Sequence, residues 1–291
     1  MRTRVIQSEL NRPKPSNNPA SAVASSPNRP VTTQKTRGIA ALIRRHPLSA
    51  FFVVAFAMTW ATVPWGTFMA AGPLVAALIV ISVVDGRSGL RDLGSRMLRW
   101  RVGVQWYAAA ILIPLGVALA TGGLNVALGA SDSAFARLQL SALLLAFATR
   151  LVVPVFAPVG EEPGWRGFAL PRLQAERPPL ASTLALGIIV ALWHVPLVFL
   201  NSGHLAPVFL LATVAVTFFY TWIFNHTRGS VLMTIIAHAA EGVLTAAFVG
   251  SNGFGGASGT RFTVLYTAGW CAVALVLVVF DRKMWRKPAR L

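Results

Sequence analysis

The chain has 291 residues, 55% of them hydrophobic and only 12% charged, with a mean hydropathy of +0.62. A soluble domain carries about 25% charged residues, so the composition excludes a soluble enzyme and indicates an all-α polytopic membrane protein. The net charge of +17 does not imply a nucleic-acid partner, because the Lys and Arg residues cluster between apolar runs, as in cytoplasmic loops.

The N-terminal stretch 1–47 reads as a disordered basic cytoplasmic arm. It holds Pro13, Pro15, Pro19, Pro27 and Pro30 among polar and basic residues, with one acid, Glu9. It is too long and polar for an ordinary signal peptide, and its charge suits contact with anionic lipid. A transmembrane helical domain follows over 48–281, then a basic tail over 282–291. A membrane-crossing helix needs about 20 apolar residues. Eight candidates are expected, over 48–68, 69–84, 102–121, 138–159, 180–200, 205–224, 230–250 and 262–280. With the N-terminus inside, 23 of the 26 Lys and Arg fall on the cytoplasmic side. Eight spans with both ends cytoplasmic, in the plasma membrane, is therefore the expected topology. The single cysteine, Cys271, lies in an apolar run and excludes an internal disulfide. The nine Trp mostly lie near span ends, where interfacial anchors are expected.

Between the fourth and fifth spans lies Gly160-Glu161-Glu162-Pro163-Gly164-Trp165-Arg166-Gly167, which holds two of the chain's nine acidic residues. Burying a carboxylate costs free energy unless it is paired or used. Adjacent residues on a helix point about 100° apart, so the two Glu have separate jobs. Arg166, at i+4, can pair with Glu162, leaving Glu161 as a general base. The bland reading is a helix N-terminus where acids are favoured by the dipole. Pro163 is expected in the first turn of a short amphipathic helix, 161–177, at the cytoplasmic interface.

Two His lie inside apolar runs. His194 precedes Pro196, which can bend its helix. His238 shares a face with Glu241 at i+3. A lone intramembrane His is often only hydrogen-bonded to a neighbouring helix, and a structural Glu241–Arg150 pair is the alternative for Glu241. His204 and His226 are expected in solvated loops, and Asp85 and Asp281 in surface pairs. No His-Glu-x-x-His, paired-Cys, phosphate-loop or serine-elbow pattern is present.

These residues resemble the CPBP (Abi) family of intramembrane proteases, which includes the type II CAAX prenyl endopeptidases. Its Glu-Glu-x-x-x-Arg motif is matched by Glu161, Glu162 and Arg166. An apolar residue four before a His is matched by Val190 and His194. His-x-x-x-Asn is matched by His238, but position 242 is Gly. The resemblance covers about 138–250. It implies an endopeptidase in which Glu161 and His194 activate water, His238 polarises the scissile carbonyl, and Glu162 and Arg166 orient the site. It implies a peptide or membrane-anchored protein as substrate and leaves the cofactor open. A divalent metal such as zinc, with Glu161, His194, His238 and Glu241 as candidate ligands, stands beside a glutamate-only mechanism. Gly242 supplies no side-chain donor, so His238 acts alone, Thr234 or Trp193 substitutes, or the chain is an inactive scaffold or immunity-type protein. A proton-coupled transporter relaying through Glu161, His194 and Glu241 is the reading from another class, and no internal repeat supports it.

On straight helices His194 lies about 21 Å, and His238 about 12 Å, along its span from the cytoplasmic end. For Glu161 to meet them, the 161–177 segment must dip into the bilayer, or the span ends must move.

Overall fold

In a bilayer every backbone polar group must be satisfied within its own segment, and each apolar run of this chain forms a helix. The computed structural model describes residues 38–155, 158–200, 208–249 and 253–286. The helices are α1 (Ile39–Arg45), α2 (Pro47–Trp60), α3 (Gly72–Val84), α4 (Gly86–Met97), α5 (Val104–Ala127), α6 (Ser133–Ala136), α7 (Leu140–Val152), α8 (Pro158–Gly164), α9 (Leu170–Glu176), α10 (Pro179–Trp193), α11 (Val195–Leu200), α12 (Val208–His226), α13 (Val231–Val249), α14 (Gly256–Phe280) and α15 (Arg282–Arg286). No strand occurs among the described residues. The protein is an all-α, multi-pass membrane protein. Six helical stretches are long and apolar enough to cross a membrane. The expected second and fourth spans are the shorter apolar helices α3 and α7, of 13 residues each. At 1.5 Å per residue each is about 20 Å long, short of a roughly 30 Å hydrocarbon core.

Two buried apolar clusters organise the described bundle. One joins α2, α3, the 165–173 stretch and α10 around Phe51, Ala76, Val80, Trp165, Phe168 and Trp193. The other joins α5, α12, α13 and α14 around Val117, Phe219, Ala237, Phe248, Phe262 and Trp270. α10 packs on α12, and α13 packs on α5, α7 and α8.

Several expectations are corrected here. Residues 39–45, assigned to the disordered arm, form α1, and residues 282–286 of the tail form α15. Residues 1–37 and 287–291, and with them most of the arm and the end of the tail, lie outside the described residues, as does His204. His226 is not a loop residue. It is the last residue of α12, half-buried, with its Nε2 3.0 Å from Asp281. Asp85 forms the expected surface pair, with Arg172. Four of the nine Trp (Trp165, Trp193, Trp270 and Trp285) are buried packing residues rather than interfacial anchors.

The largest departure is the 161–177 segment. It is not an interfacial amphipathic helix. Trp165, Phe168 and Leu170 are buried on one side, and Glu161, Glu162, Arg166 and Gln174 are buried as well. The helix begins at Pro158, so Pro163 lies inside α8 instead of opening it. Residues Trp165–Ala169 form a π-helical turn between α8 and α9, with the Leu170 N–H reaching back to the Trp165 carbonyl. Pro171 follows this turn and has no N–H to return to Gly167, so the regular ladder is already interrupted there. Glycines let the segment sink in. A Cβ on Gly160 would lie 2.3 Å from the Pro154 carbonyl oxygen and 2.8 Å from that of Ala70. One on Gly164 would lie 2.5 Å from the carbonyl oxygen of Pro73. Backbone can approach backbone this closely only where no side chain intervenes.

Candidate active site

The buried 158–176 segment carries its two carboxylates into the middle of the bundle, facing α10, α12 and α13. A cavity of about 70 Å³, roomy enough for a few waters, is lined by Glu161, Arg166, His194, Tyr220, His238 and Glu241, among others. The sequence separates the first and last of these by 80 positions, and the fold brings them to one hollow.

Glu162 is fully buried, and its Oε1 accepts from two donors. Arg166 Nη1 donates at 2.9 Å and His238 Nδ1 at 2.8 Å. Arg166, also buried, donates through Nη2 to Thr217 Oγ1 at 3.2 Å. Its guanidinium lies 4.8 Å from the centre of the Tyr220 ring, and the same ring stacks on His238 at 5.2 Å. A buried ion pair is tolerable only when such further contacts offset its desolvation. The expected Glu162–Arg166 pair is present.

Glu161 shares the burial but not the pairing; it lines the cavity and forms no ion pair among the described residues. Burial raises its pKa from an ordinary 4.5 to about 7. The charges of His238 and Arg166 pull it down, and that of Glu162 adds to the rise.

His194 sits at the break between α10 and α11, where Pro196 prevents the helix from running on. Its Nδ1 lies 2.9 Å from the Val190 carbonyl. A carbonyl only accepts, so Nδ1 carries the proton and Nε2 keeps its lone pair. Trp193 and Phe68 hold the ring from two sides. In His238 the Glu162 bond likewise fixes the ring and leaves Nε2 as the second reactive nitrogen.

Glu241 lines the same cavity but is held differently. Its carboxylate accepts from Thr245 Oγ1 at 2.8 Å, from the Tyr266 hydroxyl, and from Tyr220 at 3.4 Å. The Glu241–Arg150 pair does not form among the described residues. Of the two substitutes for a donor at 242, Thr234 donates to the Val231 carbonyl, and the Trp193 indole N–H has no partner among the described residues but Trp193 does not line the cavity. The sequence reading missed Tyr220, Tyr266, Thr217 and Thr245. A signal was available: all three of the chain's Tyr lie inside apolar spans, where a phenol needs a hydrogen-bond partner.

Among the described residues no three His, Cys, Asp or Glu side chains are grouped as metal ligands. Glu241 is held by hydroxyls, and His194 and His238 each bond a protein acceptor through Nδ1 and keep Nε2 free, an arrangement shared with metal-ligating His.

Residues 139–244 match the family model described as type II CAAX prenyl endopeptidase Rce1-like. A protein named CAAX prenyl protease 2, from Methanococcus maripaludis, is 24% identical over 177 residues, covering 57% of this chain and 65% of that relative. The match thus spans a little under two thirds of the relative's length. The matched segment, a little over a third of the chain, contains Glu161, Glu162, Arg166, His194 and His238, and over it the chain is similar to the type II CAAX prenyl endopeptidases.

Proposed function

We propose that the protein is an endopeptidase of the plasma membrane that cuts a peptide or membrane-anchored protein with water activated by side chains alone. The observation that carries this reading is the convergence of Glu161, His194 and His238 on one cavity. Glu161 carries no competing ion pair, and a pKa near 7 suits a general base at neutral pH. His194 Nε2 accepts a hydrogen bond that orients the water, while Glu161 takes one proton from it as the oxygen attacks the scissile carbonyl and the second hydrogen stays on that oxygen. His238, oriented through Nδ1 by Glu162, polarises that carbonyl and stabilises the oxyanion, as a carboxylate-supported imidazolium can. Glu161 then returns the proton to the leaving amine. Arg166 keeps Glu162 anionic and in place. The name of the Methanococcus relative refers to prenylated CAAX substrates; the reaction is carried over here, without the prenyl group.

Gly242, one turn from His238 and without a side chain, favours a second reading, a membrane scaffold without catalysis. One experiment separates them. Purified protein in lipid nanodiscs is assayed against a quenched-fluorescent peptide library, as wild type and Glu161→Gln, with and without EDTA. Cleavage that falls about 10²–10⁴-fold in Glu161→Gln and survives EDTA is expected. Cleavage lost in EDTA would overturn the side-chain mechanism, and no cleavage above the Glu161→Gln background would favour the scaffold.

A further inference from the structure

Two loops far apart in sequence meet at the end of the bundle that the Lys and Arg distribution places in the cytoplasm. One joins α4 to α5 and carries Arg99, Trp100 and Arg101; the other joins α12 to α13 and carries Arg228. Each bonds the backbone of the other. Arg228 Nη2 donates to the Arg101 carbonyl at 2.8 Å, Arg99 Nη1 donates to the Arg228 carbonyl, and Ser230 Oγ donates to the Arg99 carbonyl at 2.7 Å. This clasp holds the three arginines around one recess of about 450 Å³, lined also by Ser95, Leu98 and Trp100. A volume of that size suits a small-molecule group.

Arg228 stands there against its backbone preference. Its φ is +55°, in the left-handed region. The Gly229 N–H returns to the Phe224 carbonyl at 2.9 Å, so Arg228 occupies the position after the α12 cap that Gly usually fills. Gly would close the helix with less steric conflict, so Arg contributes there through its side chain. The helix dipole favours a cation at this terminus, but it does not account for three. None of the three forms an ion pair among the described residues. Asp92 is bound to Arg96, Asp85 to Arg172, and Asp281 to Trp222 and His226. Arg99 and Arg228 each commit one nitrogen to a carbonyl. Arg101 bonds no acceptor among the described residues and lies 5.2 Å from the centre of the Trp100 ring. Like charges gathered without a counter-ion repel one another, and guanidinium forks match phosphate oxygens.

The rim of the recess selects among phosphates. Leu98, Trp100 and Val104 are 76%, 60% and 81% exposed beside these arginines. Such exposure is unfavourable in water and favourable against acyl chains, and Trp belongs at the headgroup level. The membrane-length helix α5 begins at Val104, so the rim lies where the span meets the headgroups. We infer that Arg99, Arg101 and Arg228 form a binding site for the phosphate of an anionic phospholipid of the cytoplasmic leaflet, whose acyl chains run past Leu98, Trp100 and Val104. The site shares no lining residue with the Glu161 cavity.

The test counts bound lipid and needs no turnover. Full-length protein is released from nanodiscs of equal phosphatidylglycerol and phosphatidylcholine, and the lipid kept per chain is read by native mass spectrometry. Wild type is expected to keep one phosphatidylglycerol, preferred about tenfold or more over phosphatidylcholine. Arg101→Gln leaves the clasp intact and should lower the preference about fivefold. Adding Arg228→Gly, which suits the left-handed turn, should remove most of what is left. Arg87→Gln takes one exposed positive charge from elsewhere on this face and should change nothing. Equal retention of the two lipids by wild type, or an undiminished preference in the double variant, would overturn the site. An equal loss in Arg87→Gln would overturn it in favour of diffuse surface charge. Should the double variant fail to fold, Arg101→Gln decides alone. Retention unchanged by millimolar inorganic phosphate is expected; release by it would overturn the lipid as the source of the phosphate, in favour of a soluble phosphate ester.

Discussion

Two polar corners flank His238, and they solve one problem in opposite ways. In the α8 corner Glu162 is buried against a cation, with Arg166 and His238 both on Oε1. In the α13–α14 corner Glu241 is half-buried against neutral hydroxyls from Thr245, Tyr266 and Tyr220. An ion pair holds charge and geometry together, and it fails badly when one partner is lost. A hydroxyl cage is weaker per bond but degrades by steps. The rigid arrangement sits beneath the proposed carbonyl-polarising His, where orientation matters most. The stepwise one sits at the side of the cavity.

The sharpest way to break this contrast is to remove the cation. Arg166→Met leaves Glu162 buried without its counter-charge and is expected to cost about 3–5 kcal/mol. A fall in thermal midpoint in detergent, alongside lost activity, would show it. The paired change Arg166→Met with Glu162→Gln should recover much of the stability and none of the activity. If the double variant were as unstable as the single, charge compensation would not be the role of Arg166.

The next effect is smaller and of opposite sign. Glu161 is buried without an ion pair, and its pKa stands at about 7 against an ordinary 4.5. A carboxyl whose folded pKa is raised binds its proton more tightly in the folded state. Its destabilising effect is absent below pH 4.5, grows as pH rises towards 7, and is complete above 7. Glu161→Gln should therefore stabilise the protein by up to roughly 3 kcal/mol above pH 7 and by little below pH 4.5. Thermal midpoints across pH 4 to 8 would check the divergence. The wild-type kcat/KM should likewise fall on the acid side with an apparent pKa near 7. A profile flat from pH 5 to 8 would remove Glu161 from the role of base.

What could be read from sequence follows the physics of each part. The spans were legible because a bilayer demands long apolar helices, and α5, α10, α12, α13 and α14 lie close to their expected runs. The Glu162–Arg166 pair was legible because i,i+4 contacts are local. The depth of 158–176 was not, because it depends on Gly160 and Gly164 meeting backbone near Ala70 and Pro73, a contact across some 90 positions. Charge and aromatic periodicity gave an interfacial helix, while only the need for Glu161 to meet His194 and His238 hinted at depth. The cage around Glu241 was hidden for the same reason. Tyr220 and Tyr266 come from other helices, and hydropathy treats them as ordinary span residues.

The smallest effects discriminate within the cage. The Tyr266 hydroxyl bonds Glu241 and also lies 2.6 Å from Thr245 Oγ1, so removing it takes a polar neighbour from both. Tyr220 reaches Glu241 only at 3.4 Å, near the limit of a hydrogen bond, and its ring contacts with His238 and Arg166 survive in Phe. Tyr266→Phe is therefore expected to cost about 1–3 kcal/mol and Tyr220→Phe a few tenths. Glu241→Gln, which keeps an acceptor for the hydroxyls, should be milder than Glu162→Gln, which gives up a charge that Arg166 needs. Chemical denaturation of the four variants in one detergent would rank them. A Glu241→Gln variant as costly as Glu162→Gln would mean that the hydroxyl cage holds a full negative charge, and the distinction between the two corners would collapse.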